Sequence, residues 1–432
     1  MGYLFKNVTM LTMDDQQPHT VVGDLLVEGR KISRIAKNIP KMAHKVIEEE
    51  GLILMPGFFN THTHISMSLF RGYGDDMPLF PWLKERIWPA EARLTKDDVE
   101  LGARLGIAEM LLSGTTSFLD MYQDMERVAK AVSETGIRGH LSRGTIYSGD
   151  KKKDKAAIRE LTALAQEWHG HDQGRIRILA GPHAIYTSQE AFLKEQLEVA
   201  KAFGLGLNIH VAETREEVAD IRKAHGLSPM EYLKKTGVLE APYVIAAHMV
   251  HLEDADRSIA AEYGVGIAHN PKSNLKLGSG IADILGCRNA GLKIGIGTDG
   301  AASNNTQDMV EELRMAALLQ KGMNHDPTVF PAYEILKMAT LGGAEVMGIQ
   351  DEVGMLREGY EADLIAFQRK GPNMRPMSAD PAALIAYSAK SSDICLTMVA
   401  GKMLMRDRKL LTMDLEGLYG PLEEALSRIT SV

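Results

Sequence analysis

The stretch Pro56–Ser68, PGFFNTHTHISMS, places His62 and His64 two residues apart behind a Pro-Gly pair. In an extended strand, residues i and i+2 share a face, so two imidazoles can converge on a point the size of a metal ion. An isolated His-x-His pair carries little weight, and donors elsewhere in the chain decide its meaning. His210 in NIHVAE and Asp299 in IGTDG each close an apolar, β-branched run, as do His183 in GPH, His248 and His251 in AAHMVHL, and His269 with Asn270 in IAHNP. Imidazole and carboxylate suit a borderline divalent metal such as zinc, with a position left for water; iron and manganese also fit this donor set. Coordination draws the pKa of that water toward neutrality and makes a nucleophile of it. His62, His64, His210 and Asp299 are the expected ligands of one such ion. Asp299 is also able to accept a proton through its second oxygen. Glu213, three residues beyond His210, is placed for general acid/base work, and His248 is placed to hold the nucleophile toward a substrate.

These residues need a scaffold that gathers strand ends. Eight apolar or glycine-rich stretches supply one: LILMPGFFNTHTH, GTTSFLDM, GIRGHLSR, RIRILAGPH, GLGLNIHVAE, YVIAAHMVHL, GVGIAHNP and LKIGIGTDG. Helix-like segments separate most of them, and Thr95 with Asp98 forms a capping box ahead of one apolar periodic run. Eight strands alternating with helices predict an α/β fold, a (β/α)8 TIM-like barrel, in which functional residues sit at the C-terminal strand ends. The candidates all fall there. The connection 65–94 is long and rich in Trp and Pro, as expected of a segment that covers a site. Residues 1–55 read as short strands with a turn at EGRK, and that texture returns in ADLIAFQ and CLTMVAGKMLMRD. The expectation is a small β-sandwich domain formed from both chain ends (1–55 plus 356–432) beside a barrel over 56–355.

Bulk properties narrow the function classes. Of 432 residues, 45% are hydrophobic and 25% charged, an ordinary globular composition. A net charge of −8 leaves no electrostatic footprint for nucleic acid. No apolar run is long enough for a membrane span, and the N-terminus lacks the pattern of a signal peptide. Two cysteines, Cys287 and Cys395, imply no disulfide framework and point to a reducing, cytoplasmic setting. A homo-oligomer is the general expectation for a soluble enzyme of this kind.

The runs PGFFNTHTH, NIHVAE, AAHMVHL, HNPKSNLKLGSGIADI and IGTDGAASNN resemble the amidohydrolase superfamily, specifically its 5′-methylthioadenosine/S-adenosylhomocysteine deaminase family. The resemblance covers almost the whole chain; SNLKLGSG and TDGAASNN are its more specific parts. It implies a mononuclear metal on His62, His64, His210 and Asp299 with no bridging lysine, and GPHAIY indeed offers no lysine. It implies hydrolytic deamination of the adenine ring of a thio-substituted nucleoside, giving an inosine-type product and ammonia, with Glu213 protonating ring N1. It further implies that Glu91 binds the ribose hydroxyls, Arg143 lies near the substrate tail, His183 contacts the nucleoside and Trp82 belongs to a lid. A second arginine for a homocysteine carboxylate is out of register here, leaving Arg159 or one of Lys151 to Lys155 as substitutes. The alternatives are a guanine-like or aminotriazine hydrolase with the same metal site, and a non-catalytic scaffold. Glu91 discriminates against the first, since free bases carry no diol, and the intact set of six polar residues argues against the second.

Overall fold

The apolar stretches become strands because each is buried on both faces, as a parallel sheet flanked by helices requires. The computed structural model describes residues 2–41 and 44–430. In it, Phe58–Thr63, Thr115–Tyr122, Arg138–Thr145, Ile176–Pro182, Gly206–Val211, Val244–His248, Gly266–His269 and Lys293–Ile296 pair in parallel, neighbour to neighbour in chain order. The Asp299 N–H donates to the His62 carbonyl (2.9 Å), tying the segment after the eighth strand back to the first. This is the (β/α)8 barrel.

The first predicted stretch divides between two sheets. Leu52–Pro56 pairs antiparallel with Leu364–Gln368, whereas Phe58–Thr63 opens the barrel. Gly57 sits at the crossing because a Cβ there would lie 2.1 Å from the Thr116 side chain. Among the described residues, strands from both chain ends form a nine-stranded sheet, eight along one continuous hydrogen-bonded path and Lys45–Ile47 branching from it beside Tyr3–Leu11. Its inner residues, including Phe5, Leu25, Ile32, Leu364, Leu396 and Met398, share one apolar cluster. The expected EGRK turn is a two-residue hairpin in which Glu28 pairs with Lys31 and Gly29 takes φ +59°.

The connection after the first barrel strand folds into short helical turns, Ile65–Phe70, Leu79–Trp82, Leu83–Ile87 and Trp88–Glu91. The helix Lys96–Leu112 follows, and its capping box is formed as expected: the Asp98 N–H donates to Thr95 Oγ1, and the Thr95 N–H donates to the Asp98 carboxylate (2.7 Å). Arg428 of the C-terminal helix Glu416–Thr430 also reaches Asp98 (2.6 Å). Among the described residues, no helix is long and apolar enough to cross a membrane.

Candidate metal centre and substrate pocket

His62 lies in the first barrel strand and His64 just past its end; His210 lies in the fifth strand, and Asp299 stands three residues beyond the eighth. Their donor atoms meet. His64 Nε2 is 3.3 Å from His210 Nε2, and Asp299 Oδ1 is 3.2 Å from His64 Nε2 and 3.5 Å from His62 Nε2. Two of the rings are fixed in one tautomer, because Nδ1–H of His64 donates to the Met121 carbonyl and that of His210 to the His183 carbonyl, each at 2.6 Å. Both Nε2 lone pairs then face the same point. His62 is fully buried, and neither of its ring nitrogens hydrogen-bonds to any described residue. Such orphaned buried atoms are rare, and a cation among these donors would satisfy them. A tetrahedral ion with bonds of about 2.0–2.1 Å needs donors about 3.3 Å apart. The observed separations match, so these residues fit a divalent cation.

The electrostatics favour the same reading. Burial pushes His62 down to about 4 and drives His210 well below its ordinary value. At His64 burial also opposes the charge, but the Asp299 carboxylate outweighs it and raises the ring to about 9. At Asp299 burial opposes ionisation, yet the His62 and His64 rings beside it hold it well below the usual carboxylate range. A buried carboxylate demands a positive charge in contact, and a divalent ion supplies it in place of a proton on His64. Asp299 Oδ2 accepts from the hydroxyls of Ser273 (2.7 Å) and Ser303 (2.9 Å), which fixes the carboxylate so that Oδ1 faces the imidazoles. Backbone strain collects here as well, with Ala212, His248 and Asp299 at φ +53°, +72° and +61°. Each costs on the order of 1–3 kcal/mol and persists because the surroundings enforce it.

Glu213 follows the fifth strand and is buried; burial raises its pKa, and Ser279 Oγ donates to its Oε1 (3.2 Å). His248 ends the sixth strand, where its Nδ1–H donates to Asn274 Oδ1 (2.7 Å) and its Nε2 lies 3.9 Å from Glu213 Oε2. A cavity of about 330 Å³ opens over these groups, lined by Trp82, Glu91, Arg143, His183, Glu213, His248 and Asp299 together with His64 and His210. The expected ligands His64, His210 and Asp299 and the candidates Trp82, Glu91, Arg143, His183, Glu213 and His248 therefore face one space, while His62 is buried without lining it. Glu91 accepts a hydrogen bond from the Tyr122 hydroxyl (2.7 Å), and burial raises its pKa. His183 Nδ1 lies 3.1 Å from Thr187 Oγ1, and burial pushes the ring down to about 3.

Arg143 is at the cavity wall but engaged elsewhere: Nε donates to Glu160 Oε2 (2.9 Å) and the guanidinium also reaches the Gly144 carbonyl. Neither Arg159 nor any of Lys151 to Lys155 lines the cavity; they lie on the helix Lys151–Trp168. The sequence alone assigns no role to Tyr122, Ser273, Asn274, Ser279 or Ser303. All but Tyr122 fall within SNLKLGSG and TDGAASNN, the more specific runs of the resemblance, and membership of those runs is the signal that points to them.

Residues 53–404 match the amidohydrolase family. The chain is 43% identical over 432 residues to 5-methylthioadenosine/S-adenosylhomocysteine deaminase of Desulforamulus reducens, covering 99% of this chain and 98% of that protein. It is 44% identical over 410 residues to 5′-deoxyadenosine deaminase of Methanobrevibacter smithii, covering 95% and 94%. The crystal structure of a zinc-bound adenosine deaminase from Xanthomonas campestris superposes with a TM-score of 0.94 at 30% identity, over 100% of this chain and 99% of that one. On these matches the chain belongs to the amidohydrolase family, in its 5-methylthioadenosine/S-adenosylhomocysteine deaminase group.

Proposed function

We propose that this protein is a metal-dependent hydrolase that deaminates the adenine ring of a 5′-substituted adenosine, with 5′-methylthioadenosine as the preferred type of substrate. The observation that carries the proposal is the Glu91 carboxylate, held by Tyr122 on the same cavity wall system as the His/Asp cluster and Glu213. Two acceptor oxygens suit a vicinal diol, so one cavity offers a sugar anchor and a proton-transfer group together. The deaminases named above, acting on adenine nucleosides altered at the 5′ position, support the same substrate class.

His62, His64, His210 and Asp299 would hold the ion, and zinc is the metal this reading favours. A bound divalent cation makes water acidic enough to act as nucleophile near neutral pH. The chain's own residues do the rest. Glu213, whose pKa burial raises, donates a proton to ring N1 and makes C6 electrophilic. His248, with Nδ1–H committed to Asn274, presents Nε2 toward the nucleophile. Asp299 accepts the first proton that the attacking water gives up and passes it to the departing amino group, which leaves as ammonia, while the second water proton returns to Glu213 as the C6 carbonyl forms. Trp82 and its apolar neighbours face the 5′ substituent. Residues 56–355 would carry this chemistry, with 1–55 and 356–432 as an accessory domain.

Incubating purified protein with 5′-methylthioadenosine and following ammonia together with the purine absorbance tests the proposal. Stoichiometric ammonia and an inosine-type spectrum are expected, with loss of turnover on chelation and recovery with zinc. Undiminished turnover by thoroughly metal-free protein would contradict it.

A further inference from the structure

Glu217 is buried, 2% exposed, and lies in the first turn of the helix Arg215–His225, four residues beyond Glu213. It makes no ion pair among the described residues. Its two oxygens are spent on backbone: Oε1 accepts the Ala212 N–H (2.9 Å) and Oε2 the Glu213 N–H (2.8 Å). Ala212 is the residue at φ +53° where the chain turns out of the fifth strand. Its carbonyl in turn accepts the N–H groups of Val250 and His251, each at 3.0 Å. The His251 ring then holds the Ser279 carbonyl (Nε2 to O, 2.7 Å), and the Ser279 hydroxyl donates to Glu213 Oε1. The chain of contacts closes on the carboxylate it started beside.

We propose that Glu217 is the positioning residue for Glu213: its carboxylate clamps the backbone at the left-handed Ala212 and at Glu213 so that the Glu213 side chain enters the cavity where Ser279 meets it. An apolar side chain at this position would leave two buried N–H groups unpaired, and the strained turn would relax to find other acceptors. Only a carboxylate offers equivalent acceptors on both oxygens; an amide replaces one of them with a donor. Displacing a catalytic group by about 1 Å costs on the order of 100-fold in rate. The inference rests on the reading of Glu213 as the proton carrier.

The test compares E213Q, E217Q and the double variant as folded, zinc-loaded proteins, with zinc content measured for each. E217Q should lower kcat by about 10- to 100-fold, with KM for 5′-methylthioadenosine and zinc content little changed. The double variant should be no slower than E213Q alone, because Glu217 acts through Glu213. Where E217Q does not fold, E217D, which keeps the charge but is one methylene too short to reach both N–H groups, replaces it with the same expectations. Wild-type kcat per folded enzyme in either Glu217 variant overturns the proposal, as does a double variant slowed by the product of the two single effects. A near-wild-type kcat in E213Q removes the reading of Glu213 itself, and the role of Glu217 with it.

Discussion

Among the described residues, Glu213 has no lysine or arginine partner; its side chain accepts from a serine hydroxyl and lies 3.9 Å from the His248 ring. A carboxyl whose pKa is raised by burial in that setting is suited to general acid/base work. E213Q should therefore retain its metal and bind substrate while losing about 100- to 10,000-fold in kcat; a variant within a few-fold of wild type would place the proton elsewhere. Arg143 makes a separate prediction. Its partner Glu160 has a side chain 56% exposed, so the pair is a weak competitor for an incoming carboxylate. R143A should lower kcat/KM for S-adenosylhomocysteine far more than for 5′-methylthioadenosine, and E160Q should raise it modestly. Equal effects on both substrates would exclude a tail role for Arg143. The metal ligands were legible because His-x-His on a strand and donors at strand ends are local patterns. Tyr122 was not, because it reaches Glu91, 31 residues away, and nothing in its own neighbourhood signals that; Ser273 and Ser303 were marked only by the runs that hold them, since the fold decides which atom each hydroxyl reaches.

The elements that carry the site were legible for a related reason. A parallel barrel strand is a short run buried on both faces, and each such run in the sequence became a strand. The one boundary the pattern hid lies inside LILMPGFFNTHTH, a stretch that serves two sheets, with the Pro56-Gly57 pair marking the switch. The capping box was read from Thr95 and Asp98 alone, but Arg428, from the far end of the chain, joins it. D98A should destabilise the protein by about 1 kcal/mol through loss of the cap. Burial alone would raise the Asp98 pKa, but Thr95 and Arg428 outweigh it and lower it below the ordinary value. A carboxyl lowered on folding contributes stability above its unfolded pKa and loses it as pH falls through the folded one. The difference between D98A and wild type, measured by urea unfolding, should hold steady from pH 8 to about 5 and shrink below about 4. A difference that grows on acidification would contradict the assignment.

Across the whole molecule, the barrel and the sheet from the chain ends are joined by a buried ion pair. Arg138 of the third barrel strand, 1% exposed, donates through Nε (2.9 Å) and a terminal nitrogen (3.2 Å) to Asp363, which also accepts the Ala400 N–H. Removing one partner of such a pair costs about 3–5 kcal/mol, because the other charge is left buried. R138M should lose stability on that scale in thermal unfolding; a loss below 1 kcal/mol would mean that this pair does not hold the two parts together. The account's central claim concerns what the assembled cavity selects. One assay tests it most directly: initial rates of ammonia release from 5′-methylthioadenosine, 5′-deoxyadenosine, adenosine, 2′-deoxyadenosine, adenine, guanine and an aminotriazine, with wild type and E91A side by side. A site built to bind hydroxyls rejects analogues that lack them, whereas an apolar 5′ pocket gains about 1–3 kcal/mol from a methylthio group. 5′-Methylthioadenosine should exceed adenosine in kcat/KM by roughly tenfold or more, 2′-deoxyadenosine and the free bases should be far poorer, and E91A should erase the preference for ribose over deoxyribose. Guanine or the triazine outrunning every nucleoside, or E91A leaving the ribose preference intact, would contradict the account.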